Sequence, residues 1–153
     1  MKQLWLVAAL SAGLHAQSQA EIFRLRSECG AIARQMEQDE DAHWKRMEDQ
    51  TPSTAPRRST HRVTGTAHYD VPSNRCYVML ERNLGTTGPN GGVTVWSNFW
   101  VSLYDGQTRQ EWGNANEGSA SNFGWIIGDE KTGYGHAAFE RALAWMAERM
   151  AER

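Results

Sequence analysis

Three observations predict an α+β domain with an antiparallel sheet of four to five strands, on which a long N-terminal helix and a C-terminal helix pack. Apolar residues recur at steps of three and four near both ends of the chain, the spacing of a helix buried on one side. Between them apolar and polar residues alternate in short runs, the spacing of a strand. Glycine, proline and Asx clusters separate those runs as turns would. Helix, strands and helix in that order favour an antiparallel sheet covered by helices over alternating βαβ units.

The first 20 residues are set apart as a signal peptide. Lys2 supplies a charged start, Leu4 to Leu14 an apolar run, and Ser18-Gln19-Ala20 the small residues that signal peptidase reads. The apolar run is about half of the roughly 20 residues that cross a bilayer, so cleavage is expected rather than stable membrane insertion. Removing residues 1–20 from 153 leaves 133, enough for one domain over residues 21–153. The expected localisation is periplasmic or secreted.

Glu21 to about Asp49 reads as the first helix, with Ile22, Leu25, Cys29, Ile32 and Met36 on its apolar stripe. In its second half the acidic cluster Glu37 to Asp41 is expected to stay in water, while His43, Trp44 and Met47 can resume the stripe. Residues 50–60, with two prolines, read as a linker; the basic cluster Arg57 to Arg62 there is expected to be solvated.

Strands are predicted at about 61–70, 75–82, 93–104 and 107–113. Val71 to Asn74 is the first turn, with Pro72 presetting it. Asn83 to Gly92 is a glycine-rich hairpin tip. Asp105-Gly106 predicts a two-residue hairpin with positive φ at both positions. That turn pairs Tyr104 with Gln107, Phe99 with Trp112 and Trp100 with Glu111. A polar segment, 114–122, follows; Phe123 to Ile127 is a candidate last strand. His136 to Met150 reads as the closing helix, with Phe139, Leu143, Met146 and Met150 on one stripe and Arg149 near the negative end of the helix dipole.

Two cysteines in an exported chain predict a disulfide, Cys29 to Cys76. Cys29 lies on the apolar stripe of the helix and Cys76 shares a strand face with Val78 and Leu80, so both sulfurs point into the core. The bridge fastens helix to sheet.

The search for chemistry excludes more than it finds. Sixteen basic against 18 acidic side chains argue against nucleic acid as a partner. His43, His61, His68 and His136 lack metal-ligand spacing, and His61 and His68, seven apart, face opposite sides of one strand. Lys131-Thr-Gly133 matches a short motif of penicillin-recognising enzymes, but no Ser-x-x-Lys accompanies it. No catalytic residue, metal ligand or cofactor is predicted. The candidate binding residues are Trp96, Trp100 and Tyr104 on one face of a strand, extended by Tyr77 and Met79 if those face the same way; the competing expectation is that the C-terminal helix covers them. The expected function is non-catalytic binding of another macromolecule, a protein or other envelope component. The alternative is a cell-envelope hydrolase using scattered carboxylates, such as Asp70, Glu81, Asp105 and Glu111, and histidines.

The signal peptide, the early helical cysteine, His68-Tyr69-Asp70, Asn74-Arg75-Cys76-Tyr77-Val78 and Ser102-Leu103-Tyr104-Asp105 together resemble small exported bacterial proteins of uncharacterised function. In that group a hairpin carrying the second cysteine precedes a strand ending in Leu-Tyr-Asp. The similarity is clearest from about 61 to 113, with the glycine loop and 114–122 departing from the pattern. It implies the same fold and the same disulfide, and supplies no activity.

Overall fold

The computed structural model describes residues 17–50, 58–87, 95–118, 122–129 and 133–151, side chains at 58, 59, 87, 95 and 96 excepted. The apolar run Leu4 to Leu14, the prolines of the linker, residues 88–92 of the glycine loop and most of Lys131-Thr-Gly133 lie outside them; the first half of that loop, 83–87, is not a hairpin tip but the end of a strand.

Helix α1 (Gln19–Gln50) and helix α2 (His136–Met150) flank a six-stranded antiparallel meander, one strand more than the upper expectation. The strands are β1 (Arg58–Asp70), β2 (Arg75–Thr87), β3 (Val95–Asp105), β4 (Glu111–Gly118), β5 (Asn122–Ile126) and β6 (Gly133–Tyr134).

Strand alternation places the two helices on opposite sides of this sheet. Cys76, Val78 and Leu80 pack with Cys29, Ala33 and Met36 of α1. The intervening Tyr77, with Val101, Leu103, Ala115 and Ile126, packs with Phe139, Ala142 and Met146 of α2. The expectation that α2 covers Trp100 is therefore wrong: α2 lies on the far side, and it is Trp44 of α1 that touches Trp100, with ring centroids 6.2 Å apart. Tyr77 and Met79 likewise face α2 and cannot extend the Trp100 face.

The turn between β3 and β4 also corrects the expected register. Glu111 opposes Tyr104, Asn116 opposes Trp100 and Glu117 opposes Phe99, with a bulge that leaves Trp112 without a direct partner. The loop is longer than two residues because the carboxylate of Asp105 accepts hydrogen bonds from the N–H groups of Gln107 and Thr108, each 2.9 Å. Arg109 takes the positive φ, 58°, and neither Asp105 nor Gly106 does. Gly106 is needed for close approach: a Cβ there would sit 2.6 Å from Cys76 Sγ. Of the segment read as a polar insert, 114–118 belongs to β4.

Cys29 and Cys76 are bonded, with Cα atoms 5.5 Å apart. Tyr69-Asp70, Asn74-Arg75-Cys76 and Asp105-Gly106 meet beside that bridge. Asp70 opposes Arg75, Arg75 pairs with Asp105 at 2.9 Å, Tyr69 donates to Asn74, and Gly106 N–H donates to the carbonyl of Cys76 at 2.7 Å. These signatures therefore describe a structural knot at one end of the sheet.

Candidate functional site

The acidic cluster of α1 is only partly left in water: Asp39 is exposed, whereas Glu37, Glu40 and Asp41 are half-buried because the sheet presents cations and donors at matching positions. Glu37 accepts the N–H of Gly65 at 2.9 Å. Asp39 pairs with Arg109 at 3.2 Å. Asp41 lies 2.6 Å from Lys45 and 3.0 Å from Nε2 of His61, whose Nδ1 is 3.1 Å from Glu48. The imidazole can donate to both carboxylates only when it carries two protons. Lys45, and after it His61, holds the Asp41 carboxyl below its ordinary value of 3.8 through hydrogen bonds.

Arg82 lies at the centre of the network. Its side chain is 13% exposed and reaches Ser102 Oγ and Tyr104 OH, each at 2.9 Å. Glu40 Oε1 is 2.6 Å from Arg82 Nε, an ion pair by distance, yet out of line with the N–H, which has no hydrogen bond. Glu40 also accepts from Trp44 Nε1 at 3.1 Å. Ser102 accepts in turn from Asn114 Nδ2 at 2.8 Å, and Asn114 reaches Glu111 at 3.3 Å. A continuous polar chain thus runs from α1 across β2 and β3 to β4.

Beyond that chain the sheet is open. Helix α1 packs over β1 and β2, and α2 packs over β4 and β5 from the opposite side. Among the described residues no element lies over β3, β4 and β5 on the α1 side. Register puts Trp100, Asn116, Phe123 and Tyr134 in one row across β3 to β6, and Ser102, Asn114 and Trp125 in the next. Trp100, Asn114, Asn116, Phe123 and Trp125 are half-buried, as side chains lying on an uncovered sheet should be, and Tyr134 is 81% exposed.

Of the predicted binding residues, Trp100 and Tyr104 belong to this face: Trp100 leans on Trp44, and Tyr104 holds Arg82. Trp96 lies in β3 opposite Gly85; its side chain is outside the described residues. Asn114 and Asn116 are missed because 114–122 reads as a polar insert, and Phe123 and Trp125, though read as a candidate last strand, because that insert hides the pairing that sets them beside Trp100. The alternation Asn114-x-Asn116 and Phe123-x-Trp125 was the available signal.

The remaining candidates do not converge. His61 faces α1, whereas His68 opposes Tyr77 on the other face, as the spacing predicts. His136 lies at the start of α2 beside Glu140, and His43 is exposed on α1. Asp70 and Asp105 are spent on turns. Glu81, opposing Val101, and Glu111, opposing Tyr104, lie on opposite faces. One small hollow of about 190 Å³ lies at Tyr77 and Arg149, and another of about 220 Å³ lies at Asn83 and Phe99 and reaches Asn98 at the margin of this face. Neither overlaps the row of Trp100, Asn116 and Phe123. Comparison with family models, with curated proteins and with solved structures finds no match to this chain.

Proposed function

We propose that this chain is an exported domain of the bacterial envelope that binds another macromolecule, without catalysis, through the uncovered face of β3 to β5. The observation that carries this reading is the face itself: aromatic and amide side chains on a sheet, with Trp100 and Arg82 held at its flank by Trp44 and Glu40 of α1. Rigid aromatic groups offer contact area at little cost in conformational entropy, and fixed amides offer directional hydrogen bonds. An open surface suits a large partner better than an enclosed small ligand, which needs a concave pocket.

Export is supported by the signal-like N-terminus and by the Cys29–Cys76 disulfide, a bond that persists in oxidising compartments. The resemblance to small exported bacterial proteins agrees with this compartment.

The test is retention of the oxidised protein on separated protein, polysaccharide and lipid fractions of a bacterial envelope. Saturable retention on one class, lost on Asn116→Ala or Trp125→Ala, is the expected result. Failure to bind any fraction, or equal retention of the variants, overturns the reading.

A further inference from the structure

The composition of the open face narrows the partner. Its described side chains across β3, β4 and β5 are Trp100, Phe123 and Trp125, the asparagines 98, 114 and 116, and the hydroxyl of Tyr104, with Glu111 at one margin; Ser102, in the same row as Asn114, is fully buried and bonded to Arg82 and Asn114. No Leu, Ile, Val or Met is among them. The exposed aliphatic side chains, Met47 and Ile127, lie on α1 and beyond the end of β5. The cation in reach, Arg82, is already committed to Glu40, Ser102 and Tyr104. An anionic polymer therefore finds no uncommitted cation among the described side chains of this face.

We propose that this face binds an extended, uncharged glycan chain, an inference that rests on the macromolecule-binding reading above and names its partner class. Pyranose rings present C–H faces that lie on aromatic rings, whose faces are electron-rich. Their rims carry neighbouring hydroxyls that both donate and accept, which an asparagine amide matches with two donors and one acceptor oxygen. The register supplies the spacing. Trp100 and Phe123 are two strands apart with Asn116 between them, about 9 to 10 Å for adjacent strands roughly 4.8 Å apart. That is close to one disaccharide repeat of an extended β-linked chain, so alternate sugars stack while the amide meets the hydroxyls between them. Trp125, next to Asn114 in the neighbouring row, offers a further stacking position.

The experiment titrates the oxidised full chain with cello-, chito- and xylo-oligosaccharides of increasing length, following tryptophan fluorescence, and co-sediments it with insoluble peptidoglycan. At least one glycan is expected to bind saturably, with longer oligomers tighter than the monosaccharide. Trp125→Ala and Asn116→Ala should each weaken binding by about tenfold or more, while Ile127→Ala leaves it unchanged. Asn116→Ala keeps the test decisive if Trp125→Ala misfolds, with thermal melting as the check on folding. No saturable glycan binding, or undiminished binding by Asn116→Ala, overturns the proposal. If the protein is instead retained by an envelope protein fraction, and the same two variants abolish that retention, the glycan inference fails while the macromolecule reading stands.

Discussion

The two helices are attached to the same sheet by different physics. Helix α1 has 32 residues, of which three are buried, Cys29, Ala33 and Met36. It is held by a covalent bond near its N-terminal third, by a small apolar cluster to which Leu25 and Ile32 add, and by ion pairs along the rest. Helix α2 has 15 residues and buries four, Ala138, Phe139, Ala142 and Met146. It lies so close to β5 that a Cβ at Gly124 would fall 2.0 Å from the carbonyl oxygen of Ala138. Burying Phe139 and Met146 contributes about 1.5–3 kcal/mol each, more than an exposed ion pair contributes at a median of about 0–1 kcal/mol. The difference teaches that the covered half of the α1 side is defined by charge and a disulfide, and ends where those end. Among the described residues, no element lies over the face beyond.

The strongest way to break this contrast is to remove the bridge. Cys29→Ser with Cys76→Ser should cost about 4 kcal/mol in the chain-entropy model for a separation of 47 residues, read from urea denaturation. Amide exchange should then show α1 losing protection while α2 and β3 to β5 retain theirs; equal loss from both helices would refute separate modes of attachment. Next in size, Met146→Ala should cost about 3 kcal/mol by the same measurement, and Gly124→Ala about 1–3 kcal/mol because the new methyl must displace backbone. Both should loosen α2 first.

Glu40→Gln should cost about 1 kcal/mol, because Arg82 loses its carboxylate but keeps Ser102 and Tyr104. That loss should be accompanied by a weaker Trp44–Trp100 contact, visible as a shift in tryptophan emission. The smallest effect is the response to acid. Asp41 has its carboxyl held below 3.8 in the folded protein, so its contribution is complete above that value and disappears as pH falls through the lower folded value. The urea midpoint should therefore drop on acidification below about pH 4, by less in Asp41→Asn than in the parent. An unchanged pH dependence in Asp41→Asn would remove Asp41 from the attachment of α1.

Much of the local structure was legible because it depends on near neighbours in the chain. The closing helix runs from His136 to Met150 as its apolar period predicts. Val71 to Asn74 forms the expected turn, with Asn74 N–H donating to the carbonyl of Val71 at 3.2 Å. The parity of Cys29 and Cys76 toward one core, and of His61 and His68 to opposite faces, follows from helix and strand periods alone. The candidate site was legible only in Trp100 and Tyr104.

The rest required long-range contacts that no local pattern encodes. A period of two says which residues share a face of β3, but not which layer covers that face, so α1 and α2 exchanged their expected roles around Trp100. Hairpin register is set by how the turn is held. Here it is held by the buried Asp105 and by Gly106 against Cys76, contacts that exist only once β2 lies alongside. Glu37, Asp39, Glu40 and Asp41 look like a solvated run until Gly65, Arg109, Arg82 and His61 are brought opposite them by the fold. The sheet also gathers Asn114, Asn116, Phe123 and Trp125 beside Trp100, because antiparallel pairing brings side chains distant in sequence onto one surface.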